Sequence, residues 1–452
     1  MKHPQRAPGA LPLIGHALSL IRDPWSFLTS LPRSGDLVEI GLGPWRAYVV
    51  CSPELTRQVL LDDRTYDKGG PMMETVRQVV GNGLGSCPHG QHRRQRRLNQ
   101  PAFHSQRMPT YAAEMTAQVA ATADSWHEDE SVDVVATMEK CITRALIATM
   151  FVGFSFTEDE LDEMLHDALA ISRGVVRGML MPPALAALPY IGNRKFDKAR
   201  DRIRRVVSRG IKNYRSNPAD RGDLLSMLVA AQDVGDNGDR IQPRLSDQEL
   251  IDTTTTYLIG GSDTTASLVS WALYLIALHP DVERELHAEV DSVLAGGPAI
   301  FGHLPRLEVT SRIITETLRH RPPAWIFTRF TTRDTDLGGY HLPAGTTLVY
   351  SQYIIHHRPD VYPDPEWFNP DRWLDDSSKS FPRGALIAFG AGARKCIGDT
   401  FAITQSCLTL ATIAARWKME LAPGSRVRSG TGIILRPEGL HMLPVARNRA
   451  RR

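Results

Sequence analysis

The chain has 452 residues, of which 42% are hydrophobic and 23% charged, the usage of a globular protein able to bury a large core. A formal net charge of +3 is too small to imply a nucleic-acid binder. Five scattered cysteines (Cys51, Cys87, Cys141, Cys396, Cys407) with no Cys-x-x-Cys pair exclude a disulfide framework and a structural zinc site, and point to a reducing, cytoplasmic compartment.

Taken in chain order, Pro4, Pro8 and Pro12 break the first dozen residues. Residues 1–20 therefore read as an extended proline-rich arm, neither packed nor a signal peptide. The run Leu11–Ile21 contains His16 and Ser19 and falls short of the roughly 20 apolar residues that span a bilayer, so no membrane anchor is expected. Leu37-Val-Glu-Ile and Arg46-Ala-Tyr-Val-Val alternate around Gly41, Gly43 and Pro44 and predict a hairpin. A short helix follows over Pro53–Leu61, with Ser52 as its N-cap. Asp62-Asp63-x-x-x-Asp67 has the spacing of a Mg²⁺-binding acidic motif but reads as a surface charge cluster, and Gly81-Asn-Gly-Leu-Gly-Ser reads as a loop.

Apolar residues at spacings of three and four predict helices over Met108–His127, Val134–Phe151, Glu158–Arg173 and Lys195–Arg215. An apolar, proline-interrupted connection, Met179–Pro189, lies between the last two. After a polar stretch, Asp233–Arg240, the longest helix is predicted over Ser246–His279 and is stopped by Pro280. Short strands return near His341–Tyr350 and Thr431–Leu435. No repeat or linker interrupts the chain, which reads as one mostly α domain with a minor β part over residues 1–452.

The most informative stretch is Phe389-Gly-Ala-Gly-Ala-Arg-Lys-Cys396-Ile-Gly398. A thiolate that ligates haem iron must be deprotonated and shielded, with donors aimed at its sulfur. Glycines ahead of the cysteine allow a sharp turn that directs N–H groups at the sulfur. A helix opened by the cysteine favours the anion. As a bare spacing, a free cysteine after a glycine-rich turn is more often a buried structural one. Taken whole, the stretch resembles the haem-binding signature of the cytochrome P450 family at every fixed position.

Three further stretches are similar to that family and occur in its order. Gly90-Gln-His92-Arg-Arg-Gln-Arg96 puts His92 and Arg96 on one helix face. Gly260-Gly-Ser-Asp263-Thr264-Thr265 interrupts an apolar helical face with polar residues, which is costly unless they are hydrogen-bonded. Glu316-Thr-Leu-Arg319 places opposite charges on one helix face, and Arg372 in Phe368-Asn-Pro-Asp-Arg-Trp373 supplies a second guanidinium.

The resemblance implies a single helical body with a small sheet enclosing haem b, with Cys396 as axial ligand and Phe389 and Gly390 beside it. It implies that His92, Arg96, Arg329 and Arg394 hold the haem propionates, and that Glu316, Arg319 and Arg372 brace the cysteine loop. It further implies a widened helix turn at Gly260, where Thr264 hydrogen-bonds bound dioxygen and Asp263 relays protons as the catalytic pair. Arg94 and Arg97, on other helix faces, either dock an acidic electron donor or are solvated. The pocket would be lined by Gly260, Ala324, Trp325, Ile326, Phe327, Ile433 and Ile434, with Thr75–Leu84 and Val175–Leu188 nearby.

That lining predicts an uncharged, compact, hydrocarbon-like substrate. The details Gly9-Ala-Leu-Pro-Leu-Ile-Gly and Leu337-Gly-Gly-Tyr340 resemble actinobacterial members that oxidise cyclic terpenes; fatty acids, macrolides and steroids stay open. No G-x-G-x-x-G follows a strand, so a separate ferredoxin and ferredoxin reductase are expected to bring electrons to a monomeric monooxygenase using O₂. Rival readings are an isomerase or peroxygenase of the same fold that needs no electron partner, a non-catalytic binding protein, and a second terpene-cyclising activity at the acidic motif.

Overall fold

Two apolar clusters organise the molecule, one between helices and one around a sheet. The computed structural model describes residues 2–43, 45–152, 156–180, 191–217, 219–232, 244–374, 381–382, 384–430, 432 and 434–447.

The predicted hairpin is present as Leu37–Leu42 paired antiparallel with Trp45–Val50. It belongs to a six-stranded mixed sheet in the order Gln5–Arg6, Leu37–Leu42, Trp45–Val50, Thr347–Ser351, Ile326–Thr331, Tyr66–Asp67. The opening segment departs from expectation because it is packed. Gln5–Arg6 runs parallel to Val38 and Glu39. His16, fully buried, donates from Nε2 to Ala7 O at 2.9 Å and accepts the Gly41 N–H at Nδ1 at 3.0 Å. One imidazole thus pins the arm to the sheet. Two short helices follow, Ala17–Arg22 and Pro24–Ser30, the second capped by Asp23 with proline in its first turn.

The predicted helices appear as Pro53–Leu61, Met108–Asp124, Val134–Met150, Glu158–Leu180, Ile191–Ser216 and Asp247–Ala277. Ser52 accepts from Leu55 N as foreseen, and Ser246 forms a reciprocal capping box with Glu249. The long helix Asp247–Ala277 crosses the helical core against Val134–Met150, with Gly261 at the contact. A Cβ on Gly261 would lie 3.0 Å from Leu146 Cδ2, so the missing side chain sets how closely the helices approach. Residues 181–190 of the proline-interrupted connection and the polar stretch Asp233–Arg240 lie outside the described residues.

Of the strand expected near Thr431–Leu435, residues 431 and 433 lie outside the described residues, and Ile434 makes an isolated bridge to Ala324. Leu435 accepts at its carbonyl from Ser267 Oγ at 2.6 Å and Trp271 Nε1 at 2.9 Å, so the long helix takes the group that a strand ladder would use. Its N–H donates to Pro323 O at 2.8 Å. The long helix, residues 323–324 and residues 434–435 are thereby brought together. Among the described residues no helix is long and apolar enough to cross a membrane.

Candidate functional site

The cysteine segment forms a tight loop. Cys396 N donates to Phe389 O at 2.9 Å, and Gly390 N to Ile387 O at 2.8 Å. Gly392 adopts φ +67°, and a Cβ there would meet Leu60 O at 2.4 Å, so only glycine lets the loop pass the Pro53–Leu61 helix. The cysteine precedes its helix instead of opening it: Asp399–Arg416 starts after Gly398. All five cysteines are free, and Cys396 alone is exposed. Its thiol is nonetheless set among enough protein to be largely desolvated. Burial pushes its pKa up, while a hydrogen bond from the Gly398 N–H pulls it down.

Around this sulfur the fold collects cations. His92 and Arg96 lie on the helix His89–Asn99, where Arg96 Nη1 donates to Lys395 O at 2.6 Å. His92 is buried and neutral, its pKa driven to about 3 by burial and then by Arg394 and Lys68. Arg329, 3% exposed, donates to Thr328 O at 2.9 Å and Tyr350 Oη at 3.4 Å, both neutral. Lys68 escaped the sequence reading. Its Nζ donates to Gly85 O, and burial, with Arg329 and Arg394 nearby, lowers its pKa to about 7. The Cys396 sulfur acts on Lys68 in the opposite sense, which places thiol and cations in one site. A crowded, desolvated set of positive groups is stable only against matching anions.

Arg394 does not stand free among them. Its Nε meets Asp63 Oδ2 at 3.1 Å, its Nη2 meets Asp67 Oδ1 at 2.7 Å, and its Nη1 donates to Cys87 O at 2.7 Å. Two carboxylates offset part of its charge, and Lys68 joins it among the cations of this site. The acidic motif is only partly a surface cluster: Asp62 is exposed, Asp63 half-buried and Asp67 buried. Asp67 accepts from Lys68 N and His89 N, Asp63 also faces His89, and Asp62 caps Arg64 and Thr65. Arg94 is half-buried; it pairs with Glu249 at 2.6 Å and donates to Arg244 O at 2.8 Å, bracing the start of the long helix.

Along the long helix, Gly260 is exposed and nothing lies within 4 Å of where its Cβ would sit, so this turn faces open space. Thr264, one turn on, donates from Oγ1 to Gly260 O at 2.6 Å. The helix is continuous from Asp247 to Ala277, and across this turn the Gly260 carbonyl accepts from the Thr264 hydroxyl, a contact that loosens a helix locally. Asp263 beside it is buried. Tyr257, a turn earlier, feels both Arg96 and Cys396, which sets this stretch of helix beside the thiol.

Ala324 and Ile434 reach the same region through their bridge, and Ile326 and Phe327 continue from Ala324, both half-buried, with Phe327 stacked on Tyr350. Trp325 is a correction. Its indole donates to Gly432 O at 2.8 Å and packs edge-on against Trp25 at 4.9 Å, which makes it part of the sheet-side core and not pocket lining. Ile433 lies outside the described residues. Most of Thr75–Leu84 belongs to a helix, Gly70–Val80, not a loop. The glycines that follow press against the long helix: a Cβ on Gly81 would sit 2.1 Å from Asp252 Cγ, and Asn82 N donates to Asp252 Oδ2 at 2.9 Å.

Glu316 and Arg319 are fully buried and paired through two bonds of 2.9 and 2.7 Å. Arg372 Nε, Trp373 Nε1 and Asn369 N also donate to the Glu316 carboxylate. Arg319 Nη1 donates to His356 O at 3.0 Å, and the His356 ring accepts the Ile387 N–H at 3.0 Å. That chain of bonds ends two residues before Phe389, so the network does reach the cysteine loop. One soft sulfur facing a group of cations is a donor set that fits an iron porphyrin with two carboxylates.

The family model for cytochrome P450 matches residues 4–444. The chain is 43% identical to cyclooctat-9-en-7-ol 5-monooxygenase of Streptomyces melanosporofaciens, over 93% of this chain and 90% of that protein. It is 43% identical to cyclooctatin synthase of the same organism, over 98% and 95%. It is 42% identical to pentalenene oxygenase of Streptomyces avermitilis, over 93% and 92%. The crystal structure of the cytochrome P450DA haem domain shares the fold at a TM-score of 0.88 and 24% identity, covering 99% of this chain and 98% of that one. The chain belongs to the cytochrome P450 family and is a haem-dependent monooxygenase.

Proposed function

We propose that the protein hydroxylates a cyclic terpene, with the Cys396 thiolate as iron ligand and Thr264 and Asp263 as its proton supply. The observation that carries this reading is the exposed Cys396 near the Tyr257–Thr264 stretch of the long helix, where Gly260 faces open space, together with the half-buried apolar residues Ala324, Ile326, Phe327 and Ile434. Among these residues nothing would anchor a charged group, whereas a rigid hydrocarbon gains from their burial. The names of the relatives point the same way, towards cyclooctat-9-en-7-ol and pentalenene.

When bound, haem supplies the activation of O₂ at its iron. The chain's own residues do the rest. Cys396 gives up its thiol proton on ligation, and the Gly398 N–H steadies the resulting charge. His92, Arg96, Arg329 and Arg394, with Lys68 beside them, would hold the two carboxylates, and Gly260 faces open space. Thr264 Oγ1, which rests on Gly260 O, would turn its hydroxyl towards that space to deliver a proton, and Asp263 next to it would renew that proton. For electrons we propose a separate ferredoxin and its reductase, the partners that the family resemblance implies. Free cysteines throughout support a cytoplasmic setting.

Two measurements test this. Spectral titration with a panel of cyclic terpenes is expected to show water displaced from the ferric iron, with no response to fatty acids; the reverse pattern would overturn the substrate class. Thr264→Ala is expected to keep the wild-type spectrum and continue consuming O₂, while product per electron pair falls and hydrogen peroxide accumulates. General acid assistance is commonly worth about 10²–10⁴ in rate, so the loss should be large. Unchanged coupling would remove Thr264 from the proton path.

A further inference from the structure

We propose that His320, His357 and Glu366 form a second metal site, for a divalent transition cation such as Zn²⁺, remote in function from oxygen chemistry. One ligating atom from each residue lies within 4.8 Å of the other two. His320 ends the helix Glu308–His320, His357 follows the short helix Gln352–His356, and Glu366 lies on the segment beyond. An ion there would staple three pieces of chain together.

The second observation is the state of the two rings. His320 Nε2 lies 3.0 Å from Glu366 O and His357 Nδ1 lies 2.9 Å from Tyr353 O. A carbonyl can only accept, so both of these nitrogens carry hydrogen. Each ring therefore has its lone pair on the other nitrogen, His320 Nδ1 and His357 Nε2. Both rings are over nine-tenths buried, and neither of these nitrogens has a hydrogen-bond partner. A metal-bound histidine characteristically donates its second N–H to a carbonyl in this way, fixing tautomer and orientation. His357 Nε2 points at Glu366 Oε2, 4.0 Å away.

Burial, together with Arg319 and Arg321, keeps both imidazoles neutral, the form that ligates. Those guanidiniums oppose a cation, and the Glu366 carboxylate offsets them. Ligand atoms around a tetrahedral zinc sit roughly 3.3 Å apart, so the site must contract slightly. Glu366 is exposed and its side chain can swing inward to do so. Two imidazoles and one carboxylate select borderline cations such as Zn²⁺, Ni²⁺ or Cu²⁺ over Mg²⁺ and Ca²⁺. The ion would also fix the carbonyls of His356, Pro365 and Trp367, to which Arg319 donates.

Chelator-washed holoenzyme titrated calorimetrically with Zn²⁺ is expected to bind one ion per chain and to gain thermal stability, with no response to Mg²⁺. His357→Gln should abolish this binding. Glu366→Gln, a surface change that leaves the fold intact, should weaken it at least about tenfold. Absence of Zn²⁺ binding, or an undiminished single site in Glu366→Gln, overturns the proposal. Should His357→Gln fail to fold, Glu366→Gln and Glu366→Ala decide it alone.

Discussion

Cys396→Ser is expected to abolish the thiolate-type absorption of the reduced carbonyl complex and all product formation. The prediction is sharp because no other sulfur can take its place. Cys51, Cys87, Cys141 and Cys407 are buried. Desolvation holds the Cys51 and Cys407 thiols at about 12 and Cys141 at about 11, all protonated at neutral pH. A serine hydroxyl at position 396 resists ionisation more strongly still, and the Gly398 N–H would face a neutral oxygen. The absorption spectrum and haem content of the purified variant check this together. A wild-type spectrum would remove Cys396 from the iron and with it the proposed mechanism.

Glu316→Ala is expected to cost about 3–5 kcal/mol of stability, because it strands a guanidinium with no access to water. Arg319 is wholly buried and loses both carboxylate bonds, and Arg372, Trp373 and Asn369 lose the same acceptor. Against a typical net stability of about 5–15 kcal/mol, that is a large share. Thermal unfolding should shift down markedly. Haem retention should fall with it, since the path through His356 to Ile387 starts from Arg319. Glu316→Gln, which keeps an acceptor, should cost less. An Ala variant as stable as the wild type would show that the network does not brace the loop.

Local chemistry explains what the sequence revealed. Ser52 and Ser246 announced their helices because capping is a contact between near neighbours. The ten residues at Phe389–Gly398 were legible because the turn and the ligand share one short segment. What stayed hidden depends on partners far along the chain. His16 packs an arm that prolines had marked as extended. Leu435, at the end of an apolar run that reads as a strand, gives its carbonyl to Ser267 and Trp271. Trp325 looked like pocket lining until Gly432 and Trp25 claimed its ring. Lys68 carries no local signal at all; only the assembled fold sets it near Arg329 and Cys396.

Arg394 also bears on how the molecule assembles. It sits two positions before the thiol, yet it grips Asp63 and Asp67 across 331 and 327 positions of chain. Closing a loop of that length costs about 5 kcal/mol in chain entropy before any contact repays it. Long-range contacts of this kind slow folding, so the segment destined for iron settles late, after both ends of the polypeptide have met.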